Sequence, residues 1–145
     1  MRFTKMQGCG NDYIYVNAME ERVESPGRLA KAVSDRHFGI GADGLILIGA
    51  SKTADFSMEM YNADGSKGAM CGNGIRCVAK YLFDNGIVKK PVINIETKSG
   101  IKSCSIMTMN GKAYKITVDM GAAALRPEQV PVKPKATWSS TSLSS

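Results

Sequence analysis

Four cysteines, one histidine and a few asparagines set among glycines are the chemically conspicuous residues of this 145-residue chain. One stretch concentrates them: Met70-Cys71-Gly72-Asn73-Gly74-Ile75-Arg76-Cys77. Two glycines and an asparagine make an open turn. The pattern then becomes helical, with Ile75, Val78, Ala79 and Leu82 recurring at i, i+3, i+4 and i+7. Cys71 therefore stands just before the first turn of an amphipathic helix that Asn85-Gly86 ends. The first backbone N–H groups of a helix have no helical partner and lie at the positive end of its dipole. An anion is favoured there, either a thiolate on Cys71 or a ligand carboxylate on the same N–H groups. Gly72 and Gly74 carry no side chain that would keep a ligand off the backbone. The competing reading of Cys71 is a small buried hydrophobe. Glycines weaken a helix start, which argues for a backbone with a special task here.

Other polar residues have two readings each. Gly8-Cys9-Gly10-Asn11-Asp12 is a tight connection between strands, or a loop tip that offers the Asn11 amide to a polar ligand. Asn62 ends a strand before Ala63-Asp64-Gly65-Ser66, as an Asx-turn residue or as a second amide aimed at the same ligand. His37 has no acid partner at a useful spacing and reads as a loop or helix-end hydrogen bonder. Gly39-Ile40-Gly41-Ala42-Asp43-Gly44 matches G-x-G-x-x-G, but a helix precedes it and a strand follows. That is the reverse of the dinucleotide fingerprint, so a Rossmann site is rejected. The segment is a glycine-rich entry into a buried strand, with the alternative of a ligand-facing loop. Cys71 and Cys77 are six apart, and no C-x-x-C occurs, so the spacing speaks against a structural zinc site.

These residues need a scaffold to position them. Strands are expected over 2–7, 12–18, 45–48, 55–61, 92–98, 101–107 and 113–120. Helices are expected from Ser25-Pro26, with serine as N-cap, to about Asp35, and over 73–85. Most strands are joined by hairpin signals, and parallel β-α-β alternation is not visible. The expected class is α+β with a mainly antiparallel sheet. Cys77, Tyr81 and Phe83 fall outside the main stripe of the second helix, which suits a helix largely enclosed by sheet. Arg76, Lys80 and Asp84 mark its wet side, and Tyr114, Ile116 and Val118 alternate along the last strand. From about Leu125 the character changes, with prolines at 127, 131 and 134 and a serine-rich end. Residues 1–124 are expected to form one domain, and 125–145 a linker and disordered tail.

Apolar content of 43% and charge of 22% are ordinary for a globular protein. No apolar run approaches the length needed to span a bilayer, and no apolar region follows the basic N-terminus, so a cytoplasmic protein without membrane partners is expected. The net charge of +6 comes from scattered residues with no basic and aromatic interleaving. It argues for no nucleic-acid partner and suits a substrate that carries carboxylates.

Four segments, in order, carry a resemblance. Lys5-Met6-Gln7-Gly8-Cys9-Gly10-Asn11-Asp12, Arg36-His37-Phe38-Gly39-Ile40-Gly41-Ala42-Asp43-Gly44, Asn62-Ala63-Asp64-Gly65-Ser66 and Cys71-Gly72-Asn73-Gly74-Ile75-Arg76-Cys77 resemble diaminopimelate epimerase over residues 5 to about 131. The resemblance implies one half of a two-domain fold, each half a mainly antiparallel sheet wrapped around a central helix, with the active site between them. It implies an isomerase that converts LL-diaminopimelate to the meso form, for lysine and peptidoglycan precursors, with no pyridoxal phosphate and no metal. Cys71 would be one of two catalytic cysteines exchanging acid and base roles. Gly72 and Asn73 would bind the α-carboxylate through backbone N–H groups, and Asn11 and Asn62 would hold the distal amino-acid end. Some members carry Gln where this chain has Gly44, so a contact there would be absent or made by backbone. Gln7 replaces the motif's usual His. The family's second half brings the other catalytic cysteine, and neither Cys9 nor Cys104 stands in its context. The expected catalytic unit therefore pairs this chain, inactive alone, with a second half-domain. The alternatives are a homodimer of two such halves, a non-catalytic carboxylate-binding half-domain, and a relative such as a proline racemase.

Overall fold

The computed structural model describes residues 1–121, so the expected linker and tail over 125–145 lie outside the described residues. The order is β1 (Thr4–Gly8), β2 (Asn11–Asn17), α1 (Pro26–Ser34), β3 (Gly44–Gly49), β4 (Phe56–Asn62), β5 (Lys67–Gly68), α2 (Gly72–Asp84), β6 (Val92–Thr97), β7 (Gly100–Met109) and β8 (Lys112–Asp119). One sheet runs β1-β2-β3-β4-β6-β7-β8, with the short β5 paired to β4. Five of the seven strand pairings are antiparallel, so the fold is α+β with a mainly antiparallel sheet. None of the helices among the described residues is long and apolar enough to cross a membrane.

Two pairings correct the expectation that β-α-β units are absent. β2 lies parallel to β3 across α1, and β4 lies parallel to β6 across α2. The reason is two-sided cover. Tyr13-Ile14-Tyr15-Val16 and Leu45-Leu47 with their neighbours are continuous apolar runs, as strands buried on both faces require. Ile14, Val16, Leu45 and Leu47 face α1, packing with Ala30 and Ala42. Tyr13, Tyr15, Ile46 and Ile48 face α2, where they meet Met58, Met60, Ile75, Val78 and Leu82.

α2 is the centre of the larger core. Ile75, Val78, Ala79 and Leu82 are fully buried, and Cys77 is buried with them. The helix touches both edge strands, β1 and β8, so the sheet bends round it. Its expected wet side is largely used. Lys80 Nζ reaches the Ala113 carbonyl at 2.7 Å and the Asp84 carboxylate at 2.7 Å, and Asp84 accepts from the Ala113 N–H at 2.8 Å. These bonds clamp α2 to β8. Asn85 caps the end and Gly86 follows in the left-handed region at φ 70°, the expected stop. Ser25 occupies the N-cap of α1, but its side chain makes no capping bond.

Along β8 the expected alternation fails at Tyr114, which is exposed while Ala113 is buried. Met107 pairs with Lys115 and Thr108 with Ala113, so Tyr114 is the extra residue of a β-bulge. A bulge reverses the inside-outside phase of the strand, and no local pattern in the sequence announces it.

Candidate active site

Asn11, Gly44 and Asn62 come from different strands but lie at one end of the sheet. Tyr13 is paired with Gly44, and Gly44 with Asn62. Asn11 begins β2 directly after the two-residue turn Cys9-Gly10, whose residues have φ of 54° and 81°. Two positive φ values make the hairpin turn that matches the twist of the flanking strands. The same hairpin packs on the first turn of α2, because a Cβ on Gly8 would lie 3.3 Å from Asn73 Cβ. Tyr15 adds a second tie, its hydroxyl donating to the Gly74 carbonyl at 3.3 Å. The N-terminus of α2 is thereby fixed at that same end of the sheet.

Cys71 is the N-cap of α2, half-buried, and its Sγ accepts from the Gly74 N–H at 3.3 Å. The Ile75 N–H bonds the Cys71 carbonyl at 2.9 Å. Of the first amides of the helix, those of Gly72 and Asn73 find no hydrogen-bond partner among the described residues. Two free N–H donors at the positive end of a helix, next to a thiol, make a place where an anion is favoured. Gly72 leaves the approach open: a Cβ there would meet nothing closer than Met120 Cε at 3.9 Å. The Asn73 side-chain oxygen accepts from Arg76, whose guanidinium also donates to Cys9 Sγ at 3.6 Å.

The thiol of Cys71 donates to Asn11 Oδ1 at 3.0 Å, and Asn11 Nδ2 donates to Asp43 Oδ2 at 2.6 Å. Arg36 makes a forked pair with Asp12 at 2.8 and 3.2 Å and reaches Asp43 at 3.2 Å. The Arg36 guanidinium holds the Asp12 carboxyl far below the usual carboxylate range, against the opposing effect of burial and with help from Lys5. Burial pushes the Tyr13 phenol up to about 12, and Cys71 beside it adds to the rise. Asn62 donates to Ser66 Oγ at 3.0 Å, which sets the amide's direction, but the Asx turn belongs to Asp64, whose Oδ1 accepts from the Ser66 N–H at 2.8 Å and from the Ser66 hydroxyl at 2.6 Å. Gly44 is buried; a Cβ there would stand 2.2 Å from the Tyr61 carbonyl and 2.9 Å from the Tyr13 ring. In this arrangement only its backbone has room to act.

The structure thus brings Cys71, Gly72, Asn73 and Asn11 together, with Gly44 and Asn62 along the same sheet end. His37 is exposed in the loop after α1, where the Asp35 carboxylate accepts from its backbone N–H at 2.8 Å. Cys77 and Cys104 are core residues, and burial raises the Cys104 thiol to about 11. Sequence reading gave no role to Tyr13, Arg36, Asp12 or Asp43. The available signal was a pair of charged residues, Arg36 and Asp43, flanking glycines at the mouth of a buried strand. No three His, Cys, Asp or Glu side chains cluster as metal ligands among the described residues.

The Asp12 pair makes a pH prediction. Because the folded-state pKa of Asp12 is depressed, its stabilisation is complete above the unfolded value near 4 and is lost as pH falls toward the folded value. Arg36→Met is expected to lower stability by a constant amount from about pH 8 to about pH 5, with the difference shrinking below about pH 4. Urea denaturation across that range checks it. A difference unchanged down to about pH 2 would show that the pair does not contribute as an ion pair.

Comparison with known proteins follows the same lines. The family model described as diaminopimelate epimerase matches residues 3–126. The chain is 60% identical over 132 residues to the diaminopimelate epimerase of Acetivibrio thermocellus, covering 91% of this chain and 47% of that protein. It is 56% identical over 132 residues to that of Desulfovibrio desulfuricans, covering 91% of this chain and 46% of the relative. The chain thus spans about half the length of the curated relatives it matches. Among solved structures, methylitaconate-delta-isomerase aligns with a TM-score of 0.62 at 17% identity, over 77% of this chain and 35% of that one. At that identity the likeness speaks for the fold alone.

Proposed function

Since the chain belongs to the diaminopimelate epimerase family, we propose that its sheet end carries one half of an epimerase active site for LL-diaminopimelate. The observation that carries the reading is the pair of free amide N–H groups at Gly72 and Asn73 beside the Cys71 thiol. The α-carboxylate sits on those amides, which puts the α-carbon within reach of Cys71. As the α-proton leaves, negative charge spreads into the carboxylate, and the helix end stabilises it. Asn11 and Asn62 hold the distal amino-acid end from the neighbouring strands, and the Gly44 backbone lies between them.

Inversion needs a base on one face of the α-carbon and an acid on the other. Cys71 serves one face. A second half-domain, absent from residues 1–121, supplies the other, with Cys71 and its counterpart exchanging roles when the direction reverses. The reaction needs no cofactor in this reading, because a thiolate and a thiol suffice to move the proton. The products, meso-diaminopimelate and its descendants, would serve lysine and peptidoglycan precursor synthesis in the cytoplasm. A non-catalytic carboxylate-binding half remains the second reading, favoured by the free amides alone.

The test is protection. Iodoacetamide near neutral pH is expected to label the exposed Cys9 and the half-buried Cys71, and to spare Cys77 and Cys104. Millimolar LL-diaminopimelate should slow labelling of Cys71 and leave Cys9 unchanged, as read by peptide mapping. Equal labelling of Cys71 with and without the ligand would count against the site.

A further inference from the structure

Asn11 Oδ1 meets the Cys71 thiol, and this orientation has a cause. Asp43 precedes β3, and its Oδ2 accepts from Asn11 Nδ2 at 2.6 Å and from the Asp12 N–H at 3.2 Å. A carboxylate only accepts, whereas an amide has one donating and one accepting end. The end of Asn11 that faces Asp43 must therefore be its NH2 group. That leaves Oδ1 for Sγ at 3.0 Å, where the thiol is the donor. Arg36 holds Asp43 in turn at 3.2 Å, and its fork on Asp12 anchors the arrangement to β2.

We propose that Asp43 is a positioning residue for Cys71, fixing the Asn11 amide so that Oδ1, and not the NH2 group, receives the S–H proton. The inference rests on Cys71 being the acid/base of the proposed reaction. In the resting site the Cys71 proton lies against Asn11, while the Gly74 N–H donates to the sulfur from the helix side. When the proton passes to the α-carbon, the S–H bonding pair stays on sulfur, and Gly74 remains as its donor. Oδ1 then faces a lone pair, which favours taking the proton back. The other groups near Cys71 do not choose the orientation. Tyr13 and Tyr15 on β2 carry hydroxyls that both donate and accept, and Arg76 is engaged by Asn73 and Cys9.

The S–H stretching band of Cys71 in the Raman spectrum, isolated as the difference from Cys71→Ser, reads this bond directly. Asp43→Asn keeps the shape but can donate as well as accept, so it no longer selects the Asn11 orientation. The band is expected to move toward the free-thiol frequency. Labelling of Cys71 by iodoacetamide near pH 7 is expected to quicken about threefold or more, since an NH2 group facing sulfur favours thiolate. Asn11→Leu should give the free-thiol band, and adding Asp43→Asn to it should change nothing further. Asp43→Ser serves in place of Asp43→Asn if the latter fails to fold by circular dichroism. An unmoved band in folded Asp43→Asn would overturn the proposal, as would an equal effect in the Asn11→Leu background. If the band responds but diaminopimelate fails to protect Cys71, the functional reading falls and with it the catalytic purpose of the orientation, while the selection of the Asn11 orientation by Asp43 holds.

Discussion

Alone with LL-diaminopimelate, the chain is expected to form the meso isomer at a rate lower by on the order of 10⁴-fold or more than when a second half-domain is supplied. In the proposed site Cys71 would approach the α-carbon from one face only, the face on which the Gly72 and Asn73 amides would place it. A carbanion formed there has no acid opposite and is reprotonated from the same side or by stray water. Catalytic groups that act as a set lose most of the rate enhancement when one is removed. The measurement is LL-to-meso conversion together with α-proton exchange in D₂O, with and without the separately expressed second half of a relative such as the Acetivibrio thermocellus enzyme. Activity that appears on mixing and disappears with Cys71→Ala would support the half-site reading. Strong conversion by this chain alone, lost in Cys71→Ala, would favour two copies pairing face to face, each offering Cys71. Such a homodimer would have to read both ends of the substrate with the same asparagines, which is why the mixed pair is preferred.

The placement of the candidate site residues was legible where its determinants are local. An N-cap, two glycines and an apolar stripe are all written within a dozen residues, and they place Cys71 at the start of α2 with its Sγ on the Gly74 N–H. The Cys9-Gly10 turn is equally local, and so is the Asn85-Gly86 stop. Strand pairing is not local. Nothing near β2 states that β3, across α1, is its parallel partner, although the unbroken apolar runs Tyr13–Val16 and Leu45–Ile48 were a sign of cover on both faces. Asp43 lies 32 residues from Asn11 and meets it only because β2 and β3 run side by side. The group that orients the proposed acid/base was therefore hidden by the same parallel pairing that the strand order concealed. Tyr114 fails for a different reason: the bulge is set by how β7 and β8 register, not by the residue's own character.

Leu82→Ala is expected to cost about 2–5 kcal/mol of stability, a large part of the roughly 5–15 kcal/mol that holds a domain of this size together. Leu82 has no exposed surface and sits on the face of α2 that packs against the sheet. Removing its branched end deletes apolar contact and leaves a cavity that cannot collapse easily. α2 is tied at its start by Tyr15 and at its end by the Lys80 and Asp84 bonds to β8. A helix fixed at both ends cannot slide to fill the space, which places the cost toward the upper part of the range. Met109→Ala, at a residue that is 59% exposed, is the control and is expected to stay within about 0.5 kcal/mol of zero. Urea denaturation gives both values, and thiol labelling gives an independent readout. In folded protein Cys104 is protected by burial, with its thiol raised to about 11, so its labelling reports opening of the core. Leu82→Ala should quicken Cys104 labelling in proportion to the lost stability, while labelling of Cys71, already reachable in the folded state, changes little. A Leu82→Ala loss below about 1 kcal/mol would mean that α2 does not organise the core, and the Gly72 and Asn73 amides would then lack the rigid base that their proposed chemistry requires.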